Sequence, residues 1–119
     1  MDSKNTKFPV FNGTEYSTWK NKMMNYIQGE SWECWRIIVK GPHPITTTQN
    51  GEFIEKDEDD YDANDYKKAQ KNALSLSILH RGISPDEYIR FSSCKTAKAI
   101  WDSLELAYEG TSQVKECRI

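Results

Sequence analysis

The stretch YSTWKNKMMNYI, residues 16–27, decides the fold class. Its large apolar residues recur at the spacing of one face of an α-helix: Tyr16, Trp19, Met23, Tyr26 and Ile27. Lys20, Lys22 and Asn25 lie off this stripe, so one side of the helix is expected to be buried and the other solvated. We predict that Thr14 caps the start of the helix and that Gly29 ends it.

Two further helical patterns lie on either side of a break at Gly41-Pro42. Ser31 is the predicted cap of a short second helix, whose apolar side is formed by Trp32, Trp35, Ile38 and Val39. A third helix is predicted from about Asn64 to Arg81, with Gly82 as its stop. Its main face consists of Tyr66, Ala69, Ala73, Leu76 and His80, and its apolar surface is widened by Leu74, Ile78 and Leu79.

Capping signals predict two more helices after Gly82. In Ser84-Pro85-Asp86-Glu87, the serine is placed as an N-cap, the proline fits the first helical position and the glutamate completes a capping box. Thr96 is the predicted cap of the fifth helix, and Gly110 ends it. The apolar stripe of that helix comprises Ala97, Ile100, Trp101, Leu104, Ala107 and Tyr108.

Residues 44–62, between the second and third helices, have no helical periodicity. Thr46-Thr47-Thr48 and Asn50-Gly51 precede an acidic run that contains Glu55, Asp57, Glu58, Asp59, Asp60 and Asp62. Phe53 and Ile54 could pair briefly as a strand, but the favoured prediction for this segment is a long exposed loop.

The patterns together predict an all-α protein, a compact bundle of about five helices joined mostly by short loops. We assign residues 1–110 to one helical domain. Residues 111–119 contain Ser112 in the position of an N-cap, so they are expected to start a sixth helix leading to a domain that this chain does not contain.

The composition fits one globular domain. The chain has 119 residues, of which 29% are charged and 12% aromatic, so a core anchored by large rings is expected. No apolar run approaches the roughly 20 residues that cross a bilayer, and no signal-peptide core is visible, so we expect a cytoplasmic protein without a membrane partner. The net charge of −2 argues against this domain holding nucleic acid by itself.

The acidic run raises the question of calcium. Asp60, Asp62 and Asn64 match the first three ligand positions of an EF-hand loop. The sixth position is then Asp65 where the loop needs glycine, and the twelfth is Lys71 where it needs glutamate. A solvated acidic loop is therefore the favoured interpretation.

No other motif points to an active site or a cofactor. His43 and His80 lack a partner histidine or cysteine at metal-ligand spacing. Cys94 and His80 could be imagined as a nucleophile and its base, but nothing in the sequence orients them. Three widely spaced cysteines, Cys34, Cys94 and Cys117, are expected to be buried or idle thiols. We predict no enzyme, no metal and no cofactor.

Several segments, taken in order, resemble the Gag polyprotein of copia-type long-terminal-repeat retrotransposons. Residues 11–20, FNGTEYSTWK, resemble the opening F-x-G-x-x-Y-x-x-W-K of that family, and Met23 follows. Residues 73–79, ALSLSIL, resemble its central helix. Residues 96–104, TAKAIWDSL, resemble the segment TAKEAWDAL, and residues 108–116, YEGTSQVKE, resemble the HEGTSKVKE that comes next.

The resemblance implies the N-terminal half of a retroviral-type capsid, a helical domain that packs weakly against copies of itself. It singles out the family-motif and core residues Phe11, Gly13, Tyr16, Trp19, Met23, Trp32, Trp35, Leu76, Trp101 and Leu104. The family's C-terminal capsid domain and RNA-binding zinc knuckle are not in this chain, so contact with the element's RNA would be indirect. The alternative is a domesticated Gag module that binds a partner's peptide in a helical groove.

Overall fold

The predicted helices form in the computed structural model, which describes residues 8–109. The α-helices are α1 (Tyr16–Glu30), α2 (Trp32–Lys40), α3 (Ala63–Arg81), α4 (Pro85–Tyr88) and α5 (Ala97–Leu104). A 3-10 turn, Ile89–Phe91, extends α4, and a π-helical turn, Glu105–Glu109, extends α5. The prediction of a mostly helical protein is confirmed over these residues. The predicted stop at Gly110 and the sixth helix in residues 111–119 lie outside the described part.

The segment predicted as a long loop contains a β-hairpin, so the all-α class needs a correction. Strand β1 (Thr46–Gln49) pairs antiparallel with β2 (Glu52–Glu55). The two residues between the strands, Asn50 and Gly51, have φ angles of 53° and 81°. Positive φ at both central positions is the requirement of a type I′ turn, which asparagine followed by glycine satisfies best. Local turn chemistry therefore outweighs the low apolar content of the strands.

Three of the predicted helix caps are confirmed. The side chains of Ser31 and Thr96 accept hydrogen bonds from the backbone N–H groups of Cys34 and Ala99. Gly82 is the C-cap of α3, and its N–H bonds to carbonyl groups of the last turn. These contacts satisfy polar backbone groups that a helix end leaves without an intrahelical partner.

Two predictions at the ends of α1 are wrong. The N-cap is Glu15, with φ 55°, because Thr14 is held in a turn in which its N–H and hydroxyl both donate to the Asn12 side chain. Gly29 does not end the helix, which continues through Glu30. Ser31 alone separates α1 from α2, so the chain turns at a serine that also caps the next helix.

The predicted capping box of α4 also does not form. Ser84 is the N-cap and Pro85 the first helical residue, but the Ser84 side chain makes no capping hydrogen bond. Glu87 bonds instead to Tyr108 and Arg90, which carry its carboxylate away from the helix start. A box forms at α3, where Asp62 and Asp65 exchange hydrogen bonds and the helix begins one residue earlier than predicted.

The core lies where α1, α2, α3 and α5 meet, with the segment before α1 packed over it. Phe11 is fully buried, donates its N–H to the Gly82 carbonyl at 2.8 Å and accepts from the Ser84 N–H at 2.9 Å. This pairing places the chain before α1 directly beside the turn between α3 and α4. A Cβ atom on Gly82 would lie 2.1 Å from the Met23 methyl carbon and 3.3 Å from the Pro9 carbonyl oxygen. A larger residue at this position would therefore force the buried Met23 side chain to move.

The buried faces of α2 and α3 match the predicted ones only in part, since Ile38, Ile78 and Leu79 are buried as predicted. On α2, Cys34, Ile37 and Ile38 are buried, whereas Trp32 is 61% exposed. On α3, the buried residues are Asp65, Ser75, Ile78 and Leu79. A count of apolar residues could not assign Asp65 and Ser75 to the buried face of α3. Polar side chains such as these can be buried because they find hydrogen-bond partners inside the protein. On α5, Ala97, Ile100, Trp101 and Leu104 are buried as predicted, while Ala107 is exposed.

Candidate interaction surfaces

The aromatic residues of the family-like motifs pack together in the interior. The ring of Trp19 lies 5.3 Å from that of Phe11 and 5.7 Å from that of Trp101, measured between centroids. Six motif residues are buried in this core: Phe11, Tyr16, Trp19, Met23, Trp101 and Leu104. Their contacts are those of large rings that hold a small core together, so these residues build the domain and offer no surface to a ligand.

The other four motif residues have different settings. Gly13 has φ +99°, and a Cβ atom there would come within 2.8 Å of a carboxylate oxygen on α4. Trp35 is half-buried, and its ring centroid lies 5.5 Å from that of Trp101 in an edge-to-face arrangement. Trp32 is exposed, and Leu76 is half-buried and packs in part against the core. Of the ten residues predicted from the resemblance, eight therefore support the fold, and Trp32 and Leu76 reach the surface.

Ion pairs fasten the end of α5 to α1. The Lys20 amine lies 3.1 Å from a carboxylate oxygen of Glu105 and 2.6 Å from one of Glu109. Burial would lower the pKa of Lys20, but the hydrogen bonds that its amine donates to Glu109 and Glu105 outweigh this effect and raise the pKa. Both glutamates lie off the apolar stripe that the sequence predicts for the fifth helix. The π-helical turn brings both onto the same lysine.

Tyr108 joins the same turn to α4. Its hydroxyl donates to the Glu87 carboxylate and accepts from Arg90 at 2.8 Å. Burial raises the pKa of Tyr108, and the bond to Glu87 raises it further. With the Lys20 pairs, this contact fixes the described C-terminal end against the body of the domain.

The acidic segment is tied down at one end. The Lys56 amine lies 2.6 Å from an Asp65 carboxylate oxygen that also accepts from the Asp62 N–H. The hydrogen bond from Lys56 is the main reason that the pKa of Asp65 lies below its ordinary value. Asp62 and Asp65, two residues of the calcium interpretation, are thus used to cap α3 and to hold Lys56. In residues 8–109 no three His, Cys, Asp or Glu side chains are grouped to hold a metal ion.

The residues considered as a nucleophile and its base have other neighbours. The Cys94 sulfur lies 3.7 Å from the Ser103 hydroxyl oxygen. The His80 ring stacks on Tyr88, with centroids 4.1 Å apart. Cys34 is a buried free thiol. Neither contact of the first pair supplies the hydrogen-bonded base that nucleophilic catalysis requires.

A groove lies between the segment that follows α2 and the outer face of α3. Two hydrogen bonds clamp that segment in place: the His43 N–H donates to the Asn72 side-chain oxygen at 2.8 Å, and the Asn72 amide donates to the His43 carbonyl at 3.1 Å. The His43 ring also lies 2.7 Å from a carboxylate oxygen of Glu33. These contacts hold the backbone of the segment after α2 in place, and this segment forms one wall of the groove.

The groove has a volume of about 590 Å³, within the usual range of ligand pockets. Most of its lining is apolar: Pro42, Pro44, Ile45, Tyr61, Ala69, Ala73 and Leu76. The rest consists of His43, Thr46, Glu55, Asn72 and Lys95. Three residues of the predicted core face of α3 are therefore present in this groove. The helical spacing of these apolar residues was predicted correctly, but in the structure they border an open groove instead of being fully covered by the rest of the chain.

One face of the hairpin continues the groove outward. Thr46 pairs with Glu55, and Thr48 with Phe53, so these four residues share one face of the ribbon. Thr46 and Glu55 line the groove, and Phe53 lies further out with 82% of its surface exposed. All eight strand residues are exposed. The hairpin thus presents a phenyl ring beside an apolar groove.

Other large hydrophobic residues are exposed on several elements. Those more than half exposed are Val10, Trp32, Phe53, Tyr66, Ile89 and Leu106. Single exposed apolar residues are normal on proteins. A tryptophan and a phenylalanine at this exposure are different, because burial of such large rings dominates the energetics of interfaces.

Sequence reasoning missed both the hairpin and the wall of the groove. The signal for the hairpin was present in Asn50-Gly51 between two runs rich in threonine and apolar residues. The clamp between His43 and Asn72 had no local signal, since the two residues are 29 positions apart. A long-range contact of one amide side chain cannot be found from periodicity.

Comparison of the chain with models of protein families, with curated proteins and with solved structures gave no significant match. Within residues 8–109, none of the helices combines the length and apolar character that crossing a membrane requires.

Proposed function

We propose that this chain is a structural domain of the capsid type, a building block that associates weakly with copies of itself, as in the Gag protein of a copia-type retrotransposon. Its partners are other copies of the chain and a C-terminal capsid domain, and its contact with RNA is indirect. Its compartment is the cytoplasm. The role is structural rather than enzymatic. The resemblance of residues 11–20, 73–79, 96–104 and 108–116 to that family is the starting point.

The observation that carries the proposal is the spread of exposed hydrophobic residues over separate elements. Trp32 on α2, Ile89 after α4 and Leu106 after α5 are 61%, 70% and 79% exposed. The apolar surface around each of these residues is too small for a stable one-to-one complex, which buries about 800 Å² on each partner. Several small contacts on different sides suit an assembly, in which weak interfaces gain strength from repetition.

A specific observation favours the second candidate, a module that binds a partner's peptide. The groove beside α3 is apolar and open, and its wall is fixed by the two bonds between His43 and Asn72. A preformed apolar groove is the usual receptor for an extended or helical peptide. The two candidates differ in where contacts should form: one groove for a peptide, several surfaces for an assembly.

Nuclear magnetic resonance at increasing protein concentration tests the proposal. Backbone amide signals near Trp32, Ile89 and Leu106 should shift together as the protein is concentrated toward about 1 mM, where associations worth only about −4 kcal/mol become visible. A variant with serine at all three positions should show smaller shifts. If no signal moves with concentration while an added peptide shifts residues around the groove, the peptide-binding candidate replaces the assembly role.

A further inference from the structure

We propose that the hairpin is a docking arm and that its receptor is the groove beside α3 on a second copy of the chain. This inference rests on the proposed function, since it names one of the contacts between copies. The docking arm is residues 46–55. The groove is the surface between the segment 42–46 and α3, with Ala69, Ala73 and Leu76 as its apolar floor.

The docking arm is built to project. Its turn residues, Asn50 and Gly51, adopt the positive φ angles that produce a tight hairpin, and the ladder continues at its base through the bond from the Lys56 N–H to the Ile45 carbonyl at 2.9 Å. A rigid arm loses little conformational entropy when it docks. At its outer end is Phe53, which has almost no contact with its own chain. An exposed phenyl ring on a rigid support is well suited to act as an interface anchor.

The arrangement of arm and groove favours a second copy as the occupant. The face of the arm that carries Phe53 also carries Thr46 and Glu55, which line the groove of the same chain. Anchor and receptor therefore lie side by side on one surface. Two copies that meet with these surfaces opposed can each place an arm over the other's groove, which is the self-complementary arrangement of a two-fold dimer.

Charge favours the same occupant. Residues 52–62 hold seven of the 18 acidic residues and one of the 16 basic residues, so this segment carries −6 and the remainder of the chain +4. Glu55 lies on the same face of the arm as Phe53, and Lys95 lies at the groove. Neither forms a salt bridge with any of residues 8–109. A docked arm brings these opposite charges together, which steers two copies into this orientation.

A sedimentation experiment with three variants of the chain tests the anchor and the receptor. Phe53→Ser removes the ring and Ala73→Arg fills the floor of the groove, and each should weaken self-association at least about tenfold, or 1.4 kcal/mol. Val10→Ser removes an apolar residue that is more than half exposed and lies outside every contact proposed above, so it should leave self-association intact. Phe53, Ala73 and Val10 are exposed, so equal melting temperatures will show that the fold is unchanged.

A mixing experiment tests whether the contact joins two copies. Lys95→Glu alone opposes two acidic side chains at each contact of a two-fold dimer, and Glu55→Lys alone opposes two basic ones, so both variants should associate more weakly than the unchanged chain. A heterodimer of the two variants has opposite charges at both contacts, one as in the unchanged chain and one exchanged, so the mixture should associate more strongly than either variant alone. No recovery in the mixture would overturn the inference.

The result with Phe53→Ser separates this inference from the proposed function. If the unchanged chain associates and Phe53→Ser associates equally well, the docking arm is wrong while the assembly role stands. If the unchanged chain remains monomeric even at about 1 mM, a concentration at which an association worth only about −4 kcal/mol would be half-formed, both are wrong.

Discussion

At the scale of single residues, the four tryptophans show how one residue type takes opposite roles. Trp19 and Trp101 are about 95% buried and in contact, while Trp32 is mostly exposed. Changing Trp19 or Trp101 to alanine should lower the free energy of unfolding by about 3–5 kcal/mol, because a large cavity replaces the ring. Trp32→Ala is the matched control and should change it by no more than about 0.5 kcal/mol. Equal losses in thermal melting for all three would contradict the assigned burial.

The two glycines at the end of α1 and of α3 make a second matched pair. Gly82→Ala should destabilise the fold by about 1–3 kcal/mol, the usual effect of overpacking, because its Cβ atom would meet the buried Met23 methyl group. Gly29→Ala has open space around the new atom and lies within α1. It should stabilise the fold by about 0.5–1 kcal/mol, since alanine favours a helix over glycine. Denaturant unfolding of both variants will measure the difference, and a loss from Gly29→Ala would contradict it.

The carboxylate of Asp65 should make stability depend on pH. Its pKa is lower in the folded protein than the ordinary value, chiefly because of the hydrogen bond from Lys56. Stability gained in this way is present above the ordinary pKa and is lost as the pH falls through the folded-state pKa. Asp65→Asn should therefore melt at a lower temperature near pH 7, and the gap to the unchanged chain should narrow in acid. Asp59→Asn, which removes an exposed carboxylate without a salt bridge among residues 8–109, should show no comparable gap.

At the scale of elements, the sequence predicted where helices form better than how they face. The i, i+3, i+4 pattern of α1 and α5 indicated the correct buried sides, because large apolar residues occupy those positions. On α3 it was right only in part: Ile78 and Leu79 are buried and Leu76 packs against the core, but Ala69 and Ala73 line the groove. There the buried face includes Ser75, whose hydroxyl donates to the Lys71 carbonyl at 2.9 Å, and the apolar period borders the groove. Hydropathy cannot distinguish an apolar face that packs inside from one left open to a partner.

The hairpin should be dispensable for folding although it is ordered. All residues of β1 and β2 are exposed, whereas the contacts that hold α3 begin only at Lys56. Replacing residues 46–55 by a Gly/Ser linker of equal length should leave the melting temperature within a few degrees. Replacing residues 44–62 should cost more, because it also removes Lys56 and the Asp62 cap, worth about 1 kcal/mol or more together. Thermal melting of the two variants decides this, and a large loss from the shorter replacement would show that the strands support the core.

At the scale of the whole molecule, the fold places most of the family-like motif residues in the core and leaves its interaction capacity on the surface. Exposed rings, an open groove and a segregated acidic segment lie outside. No local pattern in the sequence could predict that arm and groove share one surface, because this depends on the turn at Asn50-Gly51 and on the clamp between His43 and Asn72.

The weight-average mass of the chain in solution, measured by sedimentation equilibrium across a concentration series, tests the central claim most directly. The monomer has a mass of 13.8 kDa. An assembly domain should show a mass that rises reversibly above this value with concentration and falls again on dilution. A mass that remains at 13.8 kDa up to about 1 mM, where contacts worth about −4 kcal/mol would be half-formed, would contradict the claim that the chain functions by binding copies of itself.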